Sequence, residues 1–289
     1  MPHGAREEGD VGGAAWVAVT AFNAPDALDA CLAALDRTLP AGHPVRVVDD
    51  ASTDARVPRL LEHWRSRTRL DARLEALPHR LGPAANANAM FAAAGDADVV
   101  LLAADAVPTA GWLGTLQRAA ARETRIATVT PWSNGTGLAS WPLPGEANPL
   151  PADPEALAEA AVGLAPAGLV DLPVAGAACV YVRRAALVAL GGFDAATLGS
   201  VAADDFCRRA AAMGWRNVLC EQAFVGRVGT QAGPAPGRDE LPRLLARWPD
   251  YHEQVARFLL DDPLRPLRER LAARLARLEH GGPQRGLFD

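Results

Sequence analysis

Short apolar runs rich in β-forming residues alternate with segments of helical periodicity, and this alternation is the strongest constraint on the fold. Residues 16–21 (WVAVTA) predict a strand, and Leu28, Leu32 and Leu35 then recur at helical spacing. Further strands are predicted at 45–50, 73–78, 98–105, 126–131, 174–182 and 215–220. Such alternation requires crossover connections, which produce a sheet covered by helices on both faces. The sequence therefore predicts an α/β fold with a mainly parallel sheet between helices.

The two ends of the chain differ from this alternating region. Residues 1–14 are polar and are expected to be disordered. Residues 15–235 are predicted to form one α/β domain, and residues 236–289 a helical, arginine-rich C-terminal extension. The segment 132–167 is rich in glycine and proline, which predicts a long loop with one short helix, a pattern typical of functional lids or linkers.

Composition excludes several classes of protein. The net charge of −5 gives no general attraction to nucleic acid or to anionic lipid. No apolar segment reaches the ~18 residues that a membrane-spanning helix needs, and the N-terminus lacks the features of a signal peptide. The four cysteines have no C-x-x-C spacing. We therefore expect a cytoplasmic protein with reduced thiols, no transmembrane segment and no nucleic-acid partner.

Polar side chains follow four of the predicted strands. Asn23 follows the first, Asp49 and Asp50 end the second, Asn88 lies beyond the third, and Asp105 ends the fourth. Open parallel sheets bind ligands at these carboxyl ends, although each residue alone is more often a cap or turn residue. G-x-G-x-x-G, P-loop and G-x-S-x-G motifs are absent, which argues against dehydrogenases, P-loop nucleotidases and serine hydrolases.

Several segments in order resemble the family 2 glycosyltransferases, which have the GT-A fold, over about residues 15 to 230. They are VAVTAFNAPDALDACLAAL, VVDDASTD, RLGPAANAN, DVVLLAADAVPTAGWL, GGFD and DDFCRRAAAMGW. TPWSNGTGLASWP and RWPDYHEQVARFLLDDPL are similar to a bacterial surface-polysaccharide branch of that family. The resemblance implies transfer of a sugar, with inversion, from a nucleotide-diphosphate donor to a glycan or lipid-linked acceptor.

The same resemblance assigns roles to the strand-end residues. Asp49 and Asp50 would face the base and ribose of a UDP- or dTDP-sugar. Asn23 would lie beside them, and Asn88 would line the donor site. Asp105 would be the carboxylate that holds manganese or magnesium, whose charge offsets that of the leaving diphosphate.

The sequence departs from the family pattern around this metal. Ala103 and Ala104 precede Asp105 where the family usually has a further ligand or acceptor, and Arg227 replaces its histidine in VGRVG. Arginine stays protonated and cannot ligate a cation, but it can pair bidentately with a diphosphate. Arg227 is therefore a candidate for stabilising the diphosphate, which requires that it lie close to Asp105.

The catalytic base is also missing from its usual position. Aligned on DFC, the chain has Ala202 and Ala203 where the branch has two glutamates, the second being the base. Asp204 and Asp205 are the nearest candidates for a moved base. One step along a helix turns a side chain by ~100°, however, and acids are common at helix N-termini for electrostatic reasons.

Two functions remain open from the sequence. The first is a glycosyltransferase of surface-glycan assembly, cytoplasmic or peripheral at the inner membrane. It would use manganese or magnesium at Asp105, or it would be metal-independent with Arg227 facing the diphosphate. The alternative is an inactive pseudo-glycosyltransferase that binds nucleotide or glycan, or that supports a partner glycosyltransferase or a second copy of itself. Trp132 and Trp141 flank the long loop and are candidates for stacking on a sugar.

Overall fold

The computed structural model describes residues 15–165, 168–229 and 237–281. The segment 1–14 and the predicted domain boundary at 235/236 lie outside these residues. The described strands form one sheet in the order β3-β2-β1-β4-β7-β6-β8-β5. They are β1 (Trp16–Ala21), β2 (Pro44–Asp49), β3 (Asp71–Ala76), β4 (Val99–Ala103), β5 (Ala106–Pro108), β6 (Ile126–Trp132), β7 (Cys179–Val182) and β8 (Arg216–Arg227).

The sheet has a parallel half and a mixed half. Strands β1, β2, β3 and β4 pair in parallel, as does β6 with β8. The pairs β4–β7, β6–β7 and β5–β8 are antiparallel. The mainly parallel sheet predicted from strand and helix alternation is thus present, and β7 and β5 add an antiparallel part that the alternation did not indicate.

Three strands differ in length from their predictions by three residues or more. β4 ends at Ala103 rather than at 105, so Asp105 lies between β4 and β5. β7 begins at Cys179 rather than at 174, and β8 runs on to Arg227 instead of ending at 220. β8 remains buried along nearly its whole length, with an irregular register opposite Pro131 and Trp132. Because β8 pairs with β6 and then with β5, its extended end brings Arg227 opposite Ala106, directly after Asp105.

Helices cover both faces of the sheet. They are α1 (Pro25–Thr38), α2 (Arg56–Arg65), α3 (Pro83–Ala93), α4 (Trp112–Ala121), α5 (Pro154–Val162), α6 (Arg184–Leu190), α7 (Ala195–Leu198), α8 (Ala202–Ala212), α9 (Glu240–Arg247), α10 (Tyr251–Asp261) and α11 (Arg265–Gly281). α1 illustrates why they form where they do. Pro25 occupies its first turn, and Leu28, Leu32 and Leu35 align on one buried face. α5 is the short helix predicted within the long loop.

Three apolar clusters make up the core of the described chain. Trp112 belongs to the cluster between the sheet and α1, α2 and α4. Phe206 and Leu244 belong to the cluster on the other face, formed with α3, α6, α8 and α9. Trp132 and Leu271 belong to the third, formed with α5 and α11. The C-terminal helices α9 and α11 are therefore packed into the core of the α/β body.

All four cysteines are buried and unpaired, and burial raises the pKa of each thiol above its ordinary value. Among the described helices, none is both long enough and apolar enough to cross a membrane.

Candidate functional site

The carboxyl ends of β1, β2 and β4 meet at one edge of the sheet. Ala21 pairs with Asp49, and Thr20 pairs with Ala103, so the three strands stop at nearly the same level. Asn23, Asp49, Asp50 and Asp105 consequently share this edge with the loops that follow the strands. We call these four residues and their loops the strand-end rim.

Side chains join the loops after β1 and β2. Asn23 Oδ1 accepts hydrogen bonds from the backbone N–H groups of Thr53 (2.9 Å) and Asp54 (3.0 Å). Ser52 Oγ accepts from Asn23 N at 2.8 Å, and Asp49 Oδ1 accepts from Ser52 N at 2.9 Å. Asn23 has a φ of 55°, a left-handed conformation that asparagine tolerates better than most residues. Hydrogen bonds between the loops after β1 and β2 therefore fix this part of the rim.

Asp50 fastens a third loop to the rim. It is almost fully buried, and its carboxylate accepts from the backbone N–H groups of Leu81 (2.7 Å) and Gly82 (3.1 Å). Arg80 Nε lies 3.6 Å from Asp50 Oδ2, and its guanidinium covers the ring of Phe22 at 3.8 Å. The loop before α3 is thus held against the end of β2.

Asp105 and Arg227 are in direct contact. Arg227 Nε donates to Asp105 Oδ1 at 3.0 Å, and Nη2 lies 2.8 Å from Oδ2, which is a bidentate ion pair. The Asp105 side chain is only 16% exposed and that of Arg227 only 6%. The pair forms because Asp105 precedes β5 while Arg227 ends β8, and these strands are adjacent.

The surroundings of this pair hold Arg227 firmly. Asn134 Oδ1 accepts from Arg227 N at 2.6 Å, and Asn134 Nδ2 donates to Arg227 O at 3.0 Å. A Cβ added at Gly229 would lie 2.9 Å from Asp105 Oδ2, and one at Gly135 would lie 2.8 Å from Arg227 Cδ. Backbone therefore packs closely against both members of the pair.

This arrangement does not fit a divalent cation. Mg²⁺ and similar ions take several oxygen or nitrogen ligands, usually including free carboxylate oxygens. Both oxygens of Asp105 accept from the guanidinium of Arg227. Across the described ranges, no group of three or more His, Cys, Asp and Glu side chains is placed to hold a metal.

The predicted base positions lie at the start of α8. The positions of the two glutamates of the family branch are alanines and carry no acid; Ala202 is fully buried and Ala203 is half-buried. Asp204 Oδ2 accepts from the Tyr251 hydroxyl at 2.6 Å. Burial raises the pKa of Asp204 to about 6, against the opposing effect of that hydrogen bond.

Asp205 is enclosed by side chains rather than open to a ligand. Its carboxylate is fully buried and accepts from Arg209 Nε (2.8 Å), Arg247 Nη1 (3.0 Å) and Trp248 Nε1 (2.9 Å). Arg247 Nη2 also lies 2.8 Å from Asp194 Oδ2. We call Asp194, Asp204 and Asp205, with these partners, the α8 cluster. It joins α8 to α9 and α10.

Asn88 joins α3 to the turn that precedes α7, so its amide does not line the strand-end rim as predicted. Its Nδ2 donates to Phe193 O and its Oδ1 accepts from Phe193 N, both at 2.8 Å. The side-chain amide therefore makes the same pair of hydrogen bonds to Phe193 that a neighbouring peptide group would make. The ring of Phe193 packs against Phe206 of α8, with centroids 5.5 Å apart.

The sequence did not predict some residues of this region, and it predicted a sugar contact for two tryptophans that the structure places elsewhere. Asn134, Arg247 and Tyr251 were not predicted as individual residues, although they lie in the two segments that resemble the polysaccharide branch, TPWSNGTGLASWP and RWPDYHEQVARFLLDDPL. Trp132 is fully buried and its Nε1 donates to Glu221 O, so stacking of Trp132 on a sugar is wrong for this structure. Trp141 packs against the third core cluster.

Comparison with known proteins gives one family and several structures. Residues 16–185, more than half of the chain, match glycosyl transferase family 2. The mannosyltransferase PcManGT from Pyrobaculum calidifontis, in complex with GDP-Man and Mn²⁺, is 19% identical with a TM-score of 0.54, covering 93% of this chain and 76% of that one. No curated protein matches the sequence.

Two further structures show the same fold. GalNAc-T7 with UDP, GalNAc and Mn²⁺ is 11% identical with a TM-score of 0.61. The match covers 90% of this chain but only 54% of the GalNAc-T7 chain. TarS 1-349 of S. aureus in complex with UDP is 15% identical with a TM-score of 0.51, covering 92% of both chains. At these identities the similarity shows the fold alone, and the predicted GT-A fold is confirmed.

Proposed function

Because the chain belongs to glycosyl transferase family 2, we propose that it binds a nucleotide-diphosphate sugar at the strand-end rim and transfers the sugar to a glycan or lipid-linked acceptor. The observation that carries this proposal is the placement of Asp49, Asp50 and the Asp105–Arg227 pair at one edge of the sheet. Acidic groups suit the N–H and hydroxyl donors of a base and ribose, and a guanidinium suits a diphosphate.

The spacing of these groups matches an extended nucleotide. β1 separates β2 from β4, so Asp49 and the end of β4 are two strand spacings apart, about 10 Å. A nucleotide lying across the end of β1 can then place its base near Asp49 and its diphosphate near Arg227. Asn23, between them, holds the loop at 52–54 in place.

The reaction proposed is a displacement at the anomeric carbon with inversion. The acceptor oxygen bonds to that carbon, the bond from carbon to the diphosphate breaks, and the electron pair stays on the diphosphate. With alanines at 202 and 203, the acceptor proton passes to water, or to Asp204, whose pKa of about 6 leaves it largely ionised at neutral pH. The donor is a UDP- or dTDP-sugar, and GDP is tested beside them because PcManGT was solved with GDP-Man.

The setting proposed is surface-polysaccharide synthesis on the cytoplasmic side of the inner membrane. The resemblance of TPWSNGTGLASWP and RWPDYHEQVARFLLDDPL to that branch supports it. Exposed arginines of α11, such as Arg265 and Arg277, would suit peripheral contact with an anionic lipid surface.

Calorimetry with UDP, dTDP and GDP tests the donor site. We expect one of them to bind, and Asp49→Ala to weaken that binding about tenfold or more through a lost hydrogen bond to the base or ribose. Asp71→Ala is the matched control, because Asp71 is an exposed carboxylate at the opposite end of the neighbouring strand. Binding that is absent, or equally affected by both substitutions, would contradict the proposed site.

A second function is favoured by the alanines at 202 and 203. Removing a general base typically costs ~10²–10⁴ in rate, which is enough to leave a protein that binds nucleotide without useful turnover. Such a chain would act as a nucleotide- or glycan-binding scaffold for a partner glycosyltransferase or a second copy. Nucleotide binding without hydrolysis or transfer of any donor sugar, together with complex formation in solution, would select this function.

A further inference from the structure

We infer that Arg227 takes the place of a divalent cation as the positive charge facing the donor diphosphate, and that Asp105 serves to position Arg227. This inference rests on the proposed donor site. It follows from the mismatch between the residues present and a metal centre, since both oxygens of Asp105 are bound to a guanidinium.

The geometry makes Arg227 a fixed cation. Asp105 holds Nε and Nη2, Asn134 bonds to both the N–H and the C=O of the same residue, and Gly135 packs against the side-chain stem. A side chain with so many restraints loses little further freedom when an anion binds. The pair with Asp105 uses two of the five N–H donors of the guanidinium, whose planar geometry matches phosphate oxygens.

The electrostatics predict how such a site differs from one with a metal. A divalent ion on one carboxylate leaves a net charge of about +1, whereas a guanidinium on one carboxylate leaves about zero. The attraction for a diphosphate is therefore weaker, but it is permanent and independent of metal supply. Binding should be insensitive to a chelator.

Calorimetry with UDP and dTDP, in EDTA and in MnCl₂, tests this on the intact chain. We expect the wild-type dissociation constant to change less than about twofold between the two buffers, since no cation takes part in binding. Arg227→Ala should weaken binding about 10- to 100-fold, as expected for loss of a charge-assisted hydrogen bond. Arg227→Lys keeps the positive charge but lacks the planar guanidinium that makes bidentate hydrogen bonds. We expect an intermediate loss of nucleotide affinity that is again unaffected by EDTA.

Arg227→His provides the sharpest variant. It places an imidazole beside the freed carboxylate of Asp105, so we expect Mn²⁺ to strengthen nucleotide binding about tenfold in this variant alone. Arg216→His is the matched control, because Arg216 starts the same strand and also pairs with an aspartate, Asp171, at 2.7 Å. Circular dichroism and thermal unfolding establish that each variant is folded.

The outcomes separate this inference from the proposed function. Wild-type binding that requires Mn²⁺ and disappears in EDTA would overturn the role of Arg227 while leaving the donor site intact. A folded Arg227→Ala protein with unchanged affinity would do the same. Absence of nucleotide binding in both buffers would overturn this inference and the proposed donor site together.

Discussion

The strand-end rim and the α8 cluster use their carboxylates in different ways. In the rim, Asp49 and Asp50 accept hydrogen bonds from backbone N–H groups of neighbouring loops. In the α8 cluster, Asp205 is closed in by side chains of α8 and α9, and Asp204 is bound to Tyr251 of α10. The rim thus keeps the form of a ligand site, while the α8 cluster has become a joint between helices.

The largest effect is expected from restoring an acid at the start of α8. Ala203→Glu should raise hydrolysis or transfer of a bound donor sugar about 10²–10⁴-fold, because it supplies a general base at a half-buried position. A discontinuous assay of nucleotide release measures this.

Ala202→Glu is the matched control for that gain. Ala202 is fully buried, so a charge there should destabilise the fold by several kcal/mol instead of adding activity. A folded, nucleotide-binding Ala203→Glu protein with no gain in turnover would show that the rim lacks more than a base.

Removal of Asp205 tests whether the α8 cluster is structural. Asp205→Ala leaves Arg209, Arg247 and the Trp248 indole without their shared acceptor, and we expect a loss of about 3 kcal/mol in the free energy of unfolding. This is the low end for a broken buried pair because the arginines are 24% and 41% exposed. Urea denaturation measures it.

A second carboxylate in an ion pair gives the comparison for Asp205. Asp171 pairs with Arg216 but is 64% exposed, so Asp171→Ala should cost less than about 1 kcal/mol. Equal costs for the two substitutions would contradict the structural role given to Asp205.

The pKa of Asp204 predicts a pH dependence in the α8 cluster. Burial raises that pKa to about 6 from its ordinary 3.8, so the folded protein binds the proton more tightly than the unfolded chain does. The resulting stabilisation is present below pH 4 and is lost as the pH rises through 6.

Comparison with Asp204→Asn isolates this contribution. From pH 4 to pH 7, the wild type should lose about 2 kcal/mol of unfolding free energy relative to the variant. Tyr251→Phe should move the transition to higher pH, because the Tyr251 hydroxyl lowers the pKa of Asp204. Parallel stability profiles for the wild type and Asp204→Asn would contradict the assigned pKa.

The smallest effect concerns the bracing of the rim. Asn23→Ala removes the acceptor for two backbone N–H groups and places alanine at a φ of 55°, which should cost about 1–2 kcal/mol. Asn23→Gly loses the same hydrogen bonds without the backbone strain and should cost less. Chemical denaturation measures the stability of both variants, and UDP titration shows whether these hydrogen bonds also support the donor site. Equal stabilities of Asn23→Ala and Asn23→Gly would contradict the predicted backbone strain in the alanine variant.

The rim was largely accessible from the sequence because each of its acids lies at the end of a strand or within two residues of it. An apolar run such as VRVV marks a buried strand, and the residues after it, Asp49 and Asp50, fall at the sheet edge as a matter of topology. The extension of β8 to Arg227 could not be predicted from the sequence. Glu221 and Gln222 interrupt its apolar pattern, so the strand was predicted to end seven residues before Arg227.

The α8 cluster could not be read from the sequence for a different reason. Asp205 meets Arg247 and Trp248 across 42 and 43 residues, and no periodicity links positions so far apart. The acids of DDFC therefore had two interpretations from the sequence, a moved base or favourable charges at a helix start. Tertiary contacts with α9 and α10 add a third, an anchor for the C-terminal helices.

The four buried cysteines make this chain convenient for site-directed labelling. Their burial and raised pKa values leave almost no reactive thiolate at neutral pH, so a maleimide reagent should leave the native residues unmodified. A single cysteine introduced at Leu260, which is 84% exposed on α10, would then carry the only fluorophore or spin label. The position of α10 relative to a nucleotide at the rim becomes measurable without first building a cysteine-free protein.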